Sequence, residues 1–255
     1  MAMRPDDTYM MRAQLAPAAL AAAPAVVLGF GALSSIEGTG SVVAFILAAV
    51  LIVICGIVRG FGRRLEPGLW ESWGGPPTTR LLRWSDSSDL RTTQRRHALL
   101  SAVLGEPLPS AEEEAMDPEG ADARYAVAVG ALRQRTRTGP EFRLVAHQNA
   151  EYGLRRNCLG LRPLALVVAA AVLAASVVLV TAQGDDWNFA LAIGVSILAL
   201  PVWSFLVTPY WVCSAADLYA ERLMEAVESL ASAGRTEKEG AALRRDIQPS
   251  EVTNG

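Results

Sequence analysis

Lysine is almost missing from this chain. Of its 23 basic residues, one is a lysine, Lys238, and the rest are arginines. Histidine occurs twice and cysteine three times. Four long stretches contain no Asp, Glu, Lys, Arg or His at all. Each shortage excludes something. With no lysine between Arg59 and Arg162, that segment cannot hold a Walker-type phosphate loop. No His-Glu-x-x-His and no Gly-x-Ser-x-Gly occurs, so the zincin and hydrolase signatures are missing. Cys55, Cys158 and Cys213 are odd in number and lack metal-ligand spacing, which leaves apolar packing as their role. Charged residues make up 19%, below the usual quarter or so, while 51% are apolar. The gathering of apolar residues into uncharged blocks of 17 to 19 excludes an ordinary soluble globule, a nucleic-acid-coating protein and a disordered tail.

What is present is arranged in blocks. The uncharged stretches cover residues 15–33, 42–58, 164–182 and 189–207. Nineteen residues of helix at 1.5 Å each cover about 28 Å, close to the hydrocarbon thickness of a bilayer. Lipid offers no partner to a backbone amide, so each such span is helical. Short, turn-rich links at 34–41 and 183–188 pair the spans into two hairpins. The expected fold is therefore an all-α integral membrane protein. Four transmembrane helices form two hairpins, with a helical cytoplasmic domain inserted between them. The expected divisions are a tail at 1–14, hairpin 1 at 15–58, the cytoplasmic domain at 59–162, hairpin 2 at 163–208, and an amphipathic helix with a polar tail at 209–255.

Direction follows from charge. The two links carry only Glu37, Asp185 and Asp186, and every basic residue falls on the other side. The positive-inside rule puts that side, with both termini, in the cytoplasm of a bacterial inner membrane. Pro17 and Pro24 interrupt the first span. A cleaved secretory signal is the rival reading there, and it leaves the direction of the other spans unchanged.

Within 59–162 the stretch 68–79 reads as loop, and helices are expected at 92–104, 121–136 and 141–161. Ser110 with Glu113 fits a capping box. Tyr125, Ala128, Val129 and Leu132 share one helix face, as do Phe142, Val145, Asn149 and Tyr152. The fourth span is expected to continue into a helix at 212–233, with Cys213, Leu218, Leu223, Val227 and Leu230 on one stripe. His97 and His147 read as surface or capping residues rather than a catalytic pair.

The spans hold no ionisable side chain, which argues against an ion-coupled transporter. A pore lined by weakly polar groups stays open, with Asn188, Gly194, Ser196, Ser204 and Thr208 as its candidates. Ala44 with Ala48, Ala171 with Ala175 and Ala190 with Gly194 give small-residue spacing for helix contact. The densest chemistry is arginine. Guanidinium forks suit phosphate oxygens. Arg80, Arg83, Arg95 and Arg96, with Tyr152, Arg155 and Arg156, are the candidates for an anionic ligand such as a nucleotide. Membrane-proximal arginines, Arg155 and Arg156 among them, also serve orientation and anionic headgroups.

Two stretches carry a resemblance: 68–83, Gly-Leu-Trp-Glu-Ser-Trp-Gly-Gly-Pro-Pro-Thr-Thr-Arg-Leu-Leu-Arg, and 149–157, Asn-Ala-Glu-Tyr-Gly-Leu-Arg-Arg-Asn. Together they resemble a group of uncharacterised bacterial multi-span proteins with a Tyr-Gly-Phe-Arg-Arg-Asn signature, here with Leu154 in the Phe position. By architecture the chain also resembles membrane effectors of bacterial antiphage systems. Uncharged spans joined to an Arg-rich domain point to a non-enzymatic, homo-oligomeric effector or channel-like protein controlled by that cytoplasmic domain, and the likeness adds antiphage defence through membrane disruption as its setting. The alternative is a scaffold or adaptor that recruits a soluble partner. Neither reading calls for a catalytic residue, a metal, a cofactor or direct nucleic-acid binding. The bilayer is the first partner in both.

Overall fold

The computed structural model describes residues 11–34, 60–183 and 187–247. Among them the chain is helical, without a strand. A π-helical turn at Met11–Leu15 leads into α1 (Ala16–Ser34). Then follow α2 (60–72), α3 (Pro77–Arg80), α4 (Leu90–Leu104), α5 (Ala111–Met116) and α6 (Pro118–Arg135). A 3-10 turn at Pro140–Phe142 starts the long α7 (Arg143–Gln183). After it come α8 (Trp187–Pro201), a second π turn at Val202–Leu206, and α9 (Pro209–Ile247).

Two helical segments, Pro140–Ala182 and Trp187–Leu206, are long and apolar enough to cross a membrane. Only 22% of each apolar window is buried, so most of their greasy surface is open. The first expected span falls on α1, and 42–58 lies outside the described residues, as does Cys55.

The helices gather into two compact units. Among the described residues the first comprises 11–34, 60–73, 146–183 and 187–218, the second 74–145 and 219–247. The expected 59–162 domain is thus divided. Its two ends pack with the apolar helices, because α2 and the first turns of α7 share a buried polar cluster with the π turn before α1.

In the first unit α1 packs on α8. Pro17 lies where the π turn passes into α1, and the Ala13 carbonyl one turn before it accepts from Asn157 Nδ2 instead, while Pro24 lies inside the helix. The buried line of α7 is Ala165, Ala169, Val172 and Ser176, and that of α8 is Phe189, Ala192 and Ser196. Ala171, Ala175, Ala190 and Gly194, expected at helix contacts, are exposed instead. α7 runs unbroken through Pro163. α2 crosses α7 very closely: a Cβ on Gly160 would lie 2.9 Å from the Gly62 nitrogen, and one on Gly62 would strike Asn157 Oδ1. Gly160→Val should therefore force α2 off α7 and cost about 1–3 kcal/mol. Limited proteolysis at the exposed Arg63 and Arg64 would then speed up, and an unchanged rate would refute the close crossing.

The second unit is built around α6, which packs on α3, α4 and α5. Tyr125, Ala128, Val129 and Leu132 are buried as their spacing requires, with Leu82, Leu100 and Leu223 completing the core. Local signals place the ends. Asp89 caps α4, accepting from Arg91 N at 3.0 Å, and Gly105 ends it at φ 81°. The Ser110–Glu113 capping box is present. Asp117 closes α5 through its backbone and opens α6 by accepting from Gly120 N at 3.0 Å. Gly139 at φ 126° makes the break before α7.

Four expectations need correction. Residues 68–79 are not all loop: α2 continues to residue 72, and the turn is confined to 73–76. Asn149 is exposed, and Ala150 takes the buried place beside Val145. α8 does not run into α9. The helix stops at 207–208 and restarts at Pro209, where Thr208 Oγ1 accepts from Trp211 N at 3.3 Å. The buried stripe of α9 is Val212, Ala216, Tyr219, Leu223 and Val227, with Cys213 partly exposed and Leu218 outside it.

Candidate functional site

The seven candidate anion-binding residues divide between the units. In the second unit Arg83 is fully engaged. Its Nε and Nη2 donate to the two oxygens of Asp122 at 2.8 and 2.5 Å, and Nη1 donates to the Gly74 carbonyl at 2.6 Å and to Asp86 at 3.2 Å. The bidentate bond to Asp122 drives the guanidinium pKa far above its ordinary value, against the pull of burial. Gly74 (φ 77°) and Gly75 (φ 121°) wrap this head group, and a Cβ on Gly75 would sit 2.7 Å from Nη2. The Gly-Gly-Pro-Pro run is a collar for the chain's own arginine.

Arg80 is half-buried at the end of α3. Arg95 and Arg96 line a groove of about 300 Å³ between α4 and α9, opposite Glu221, Glu225 and Glu228. Arg95 Nη2 pairs with Glu228 Oε1 at 2.9 Å, both side chains largely exposed, and Arg96 Nη1 donates to the Leu81 carbonyl at 3.3 Å. A phosphate entering here would meet three carboxylates.

In the first unit the signature residues interlock. Tyr152 Oη donates to Glu66 Oε1 at 3.0 Å, and Arg156 Nη1 donates to the same oxygen. Arg156 also lies 5.5 Å from the Tyr152 ring centroid. Asn157 is fully buried and donates through Nδ2 to the Ala13 carbonyl at 2.6 Å. Arg155 donates to Glu151 at 2.9 Å, to the Trp211 carbonyl at 3.1 Å and to Ser214 Oγ at 3.0 Å, with its head group over the Trp211 ring. The Tyr-Gly-Leu-Arg-Arg-Asn run thus clamps α2, the π turn before α1 and the start of α9 onto α7.

The pore candidates do not fall on one line. Ser196 is buried and its hydroxyl donates to the Ala192 carbonyl of its own helix at 2.8 Å. Gly194 faces open space, and Asn188 is half-buried. The Ser204 carbonyl accepts from Arg162 Nη2 at 2.9 Å, and Thr208 caps α9.

One cluster escaped the sequence reading. Glu114 is buried, and its carboxylate accepts from Trp84 N and Ser85 N at 2.9 Å each and from Tyr125 Oη at 2.8 Å. Burial works against its ionisation, but these donors outweigh it and hold the pKa below the usual carboxylate value. His97 lies beside this group, not on the surface as expected. It is buried between the Trp84 and Tyr125 rings, at 4.6 and 5.5 Å, with Nε2 2.7 Å from the Leu82 carbonyl. Because a carbonyl only accepts, Nε2 carries the proton. His147 is exposed, as its surface reading expected. No group of three metal-ligating side chains occurs among the described residues.

Burial lowers the His97 pKa below its ordinary 6.5. The unfolded chain then takes up a proton before the folded one does, so stability falls as pH drops below about 6.5. Melting curves should show that slope in the native chain and a shallower one in His97→Gln, whose amide keeps a donor. Identical slopes would refute the assignment. Glu114 contributes in the same direction only at lower pH, below the usual carboxylate range.

A scan of family models, a search of curated proteins and a search of solved structures each find no match to this chain.

Proposed function

We propose that this chain is a non-enzymatic, homo-oligomeric, multi-pass protein of the bacterial inner membrane. In this reading it has four spans, both termini are cytoplasmic, and its helical cytoplasmic part acts as a scaffold or adaptor through protein contacts. The observation that carries the reading is the fate of the arginines. Arg83, Arg155 and Arg156 are committed to the chain's own carboxylates and carbonyls, and Arg95 and Arg96 face three glutamates. Five of the six candidate arginines are thus held by the chain's own groups, which leaves these positions little freedom to take an anionic signal. The open apolar faces of Pro140–Ala182 and Trp187–Leu206 support a bilayer location. The absence of any charge at 164–182 and 189–207 supports a structural rather than a transporting role.

The test uses the whole protein in liposomes loaded with a self-quenching dye, with and without ATP, GTP or cyclic dinucleotides. The scaffold reading expects no leakage and no nucleotide-dependent shift in melting temperature. Nucleotide-triggered leakage would overturn it in favour of the effector or channel reading. Topology is checked separately: protease should cut the 74–145 region in inside-out vesicles and spare it in right-side-out ones.

A further inference from the structure

We propose that the open face of α6 pairs with the same face of a second copy of this chain, antiparallel about a two-fold axis through Val127. The inference rests on the homo-oligomeric part of the reading above and names its contact. The inner side of α6 is Ala121, Tyr125, Ala128, Val129 and Leu132. Along its outer side run Gly120, Ala123, Val127, Ala131 and Gln134, spaced by three or four residues. Val127 is 71% exposed in the middle of that line. Leu104, Pro107 and Leu108 wall the line on one side, making a shallow groove of about 420 Å³. The small residues on either side of Val127 let a second helix come close.

Register is what selects a second copy. Antiparallel pairing centred on Val127 sets Ala123 against Ala131 and Gly120 against Gln134. It sets Arg124 against Gly130, where a Cβ would meet nothing within 4 Å, so the arginine stem has room. It sets Glu119 against Arg135, both exposed, and symmetry makes that pair occur twice. Apolar and small residues meet at the centre, and opposite charges meet at both ends. Arg124 and Arg135 each keep one guanidinium nitrogen on the chain's own carbonyls, Pro107 and Val103, and an unrelated acidic helix would bring a carboxylate up to Glu119.

The test is cysteine cross-linking of the full-length protein in membranes, in a Cys213→Ser background. Val127→Cys, lying on the axis, should form a disulfide-linked dimer by itself. Ala123→Cys and Ala131→Cys should cross-link to each other when co-expressed and hardly at all alone. Glu119→Arg should cut the Val127→Cys yield about tenfold by replacing two attractions with two repulsions. Adding Arg135→Glu to it should restore the yield. Glu119, Ala123 and Val127 are exposed, so their variants should keep the native melting temperature, whereas Ala131 is half-buried and Arg135 donates to the Val103 carbonyl. Failure of Val127→Cys to dimerise, equal self-linking of Ala123→Cys, no recovery in the charge-swapped double variant, or capture of a different protein would each overturn the proposal. Native mass in detergent separates the two readings. An oligomer without the Val127→Cys cross-link removes this face alone, whereas a monomer removes the homo-oligomeric reading with it.

Discussion

Glu114→Ala should unfold the second unit at temperatures where the native chain is intact. The substitution leaves the amides of Trp84 and Ser85 and the hydroxyl of Tyr125 without their acceptor. Tyr125 is fully buried, so water cannot readily replace the carboxylate there. Orphaned buried donors cost about 1–3 kcal/mol each, and sharing among three gives an expected loss of about 3–5 kcal/mol. A domain of this size has only about 5–15 kcal/mol in all. Glu114→Gln keeps the shape and one acceptor oxygen but turns a donor toward the amides, so an intermediate loss is expected. Urea unfolding followed by Trp84 fluorescence measures both. A loss under 1 kcal/mol for the alanine variant would mean that the 84–85 segment is held by something else.

The second large effect is expected at Arg156. Its side chain is 7% exposed and its partner Glu66 18% exposed, so neither charge is well hydrated. Arg156→Met strands Glu66 with Tyr152 as its remaining donor, an expected cost of about 3–5 kcal/mol. Removing both charges, as Arg156→Met with Glu66→Gln, should recover at least half of that loss, because a neutral pair carries no buried charge to leave unpaired. The readout is the melting temperature of the detergent-solubilised protein. A double variant as unstable as the single one would show that Arg156 matters for its stem and not for its charge.

Both residues show where sequence reading stops. Ser110, Gly105 and Gly139-Pro140 were legible because capping and chain reversal depend on a few adjacent residues. The inner face of α6 was legible because one helix sets its own spacing. Glu114 looked no different from Glu112 and Glu113 at the start of α5. What distinguishes it is a pair of amides arriving from about thirty positions earlier. His97 read as a surface residue for the same reason, since the Trp84 and Tyr125 rings that enclose it come from other elements. The stripe on α9 was shifted because the elements packed against a helix decide which of its faces is buried, and these come from distant parts of the chain. The arginines stood out in the sequence, but only their neighbours reveal that most hold the chain itself.

The double duty of Asp117 limits how this protein can change. With a single residue between α5 and α6, there is no slack to absorb a lengthened chain. One extra residue there would rotate α6 by about 100° relative to α5. Tyr125 would swing away from Glu114, and the outward line around Val127 would turn sideways. Length variation in this region should therefore collect between Gly105 and Pro109, where the backbone ends one helix well before the next begins.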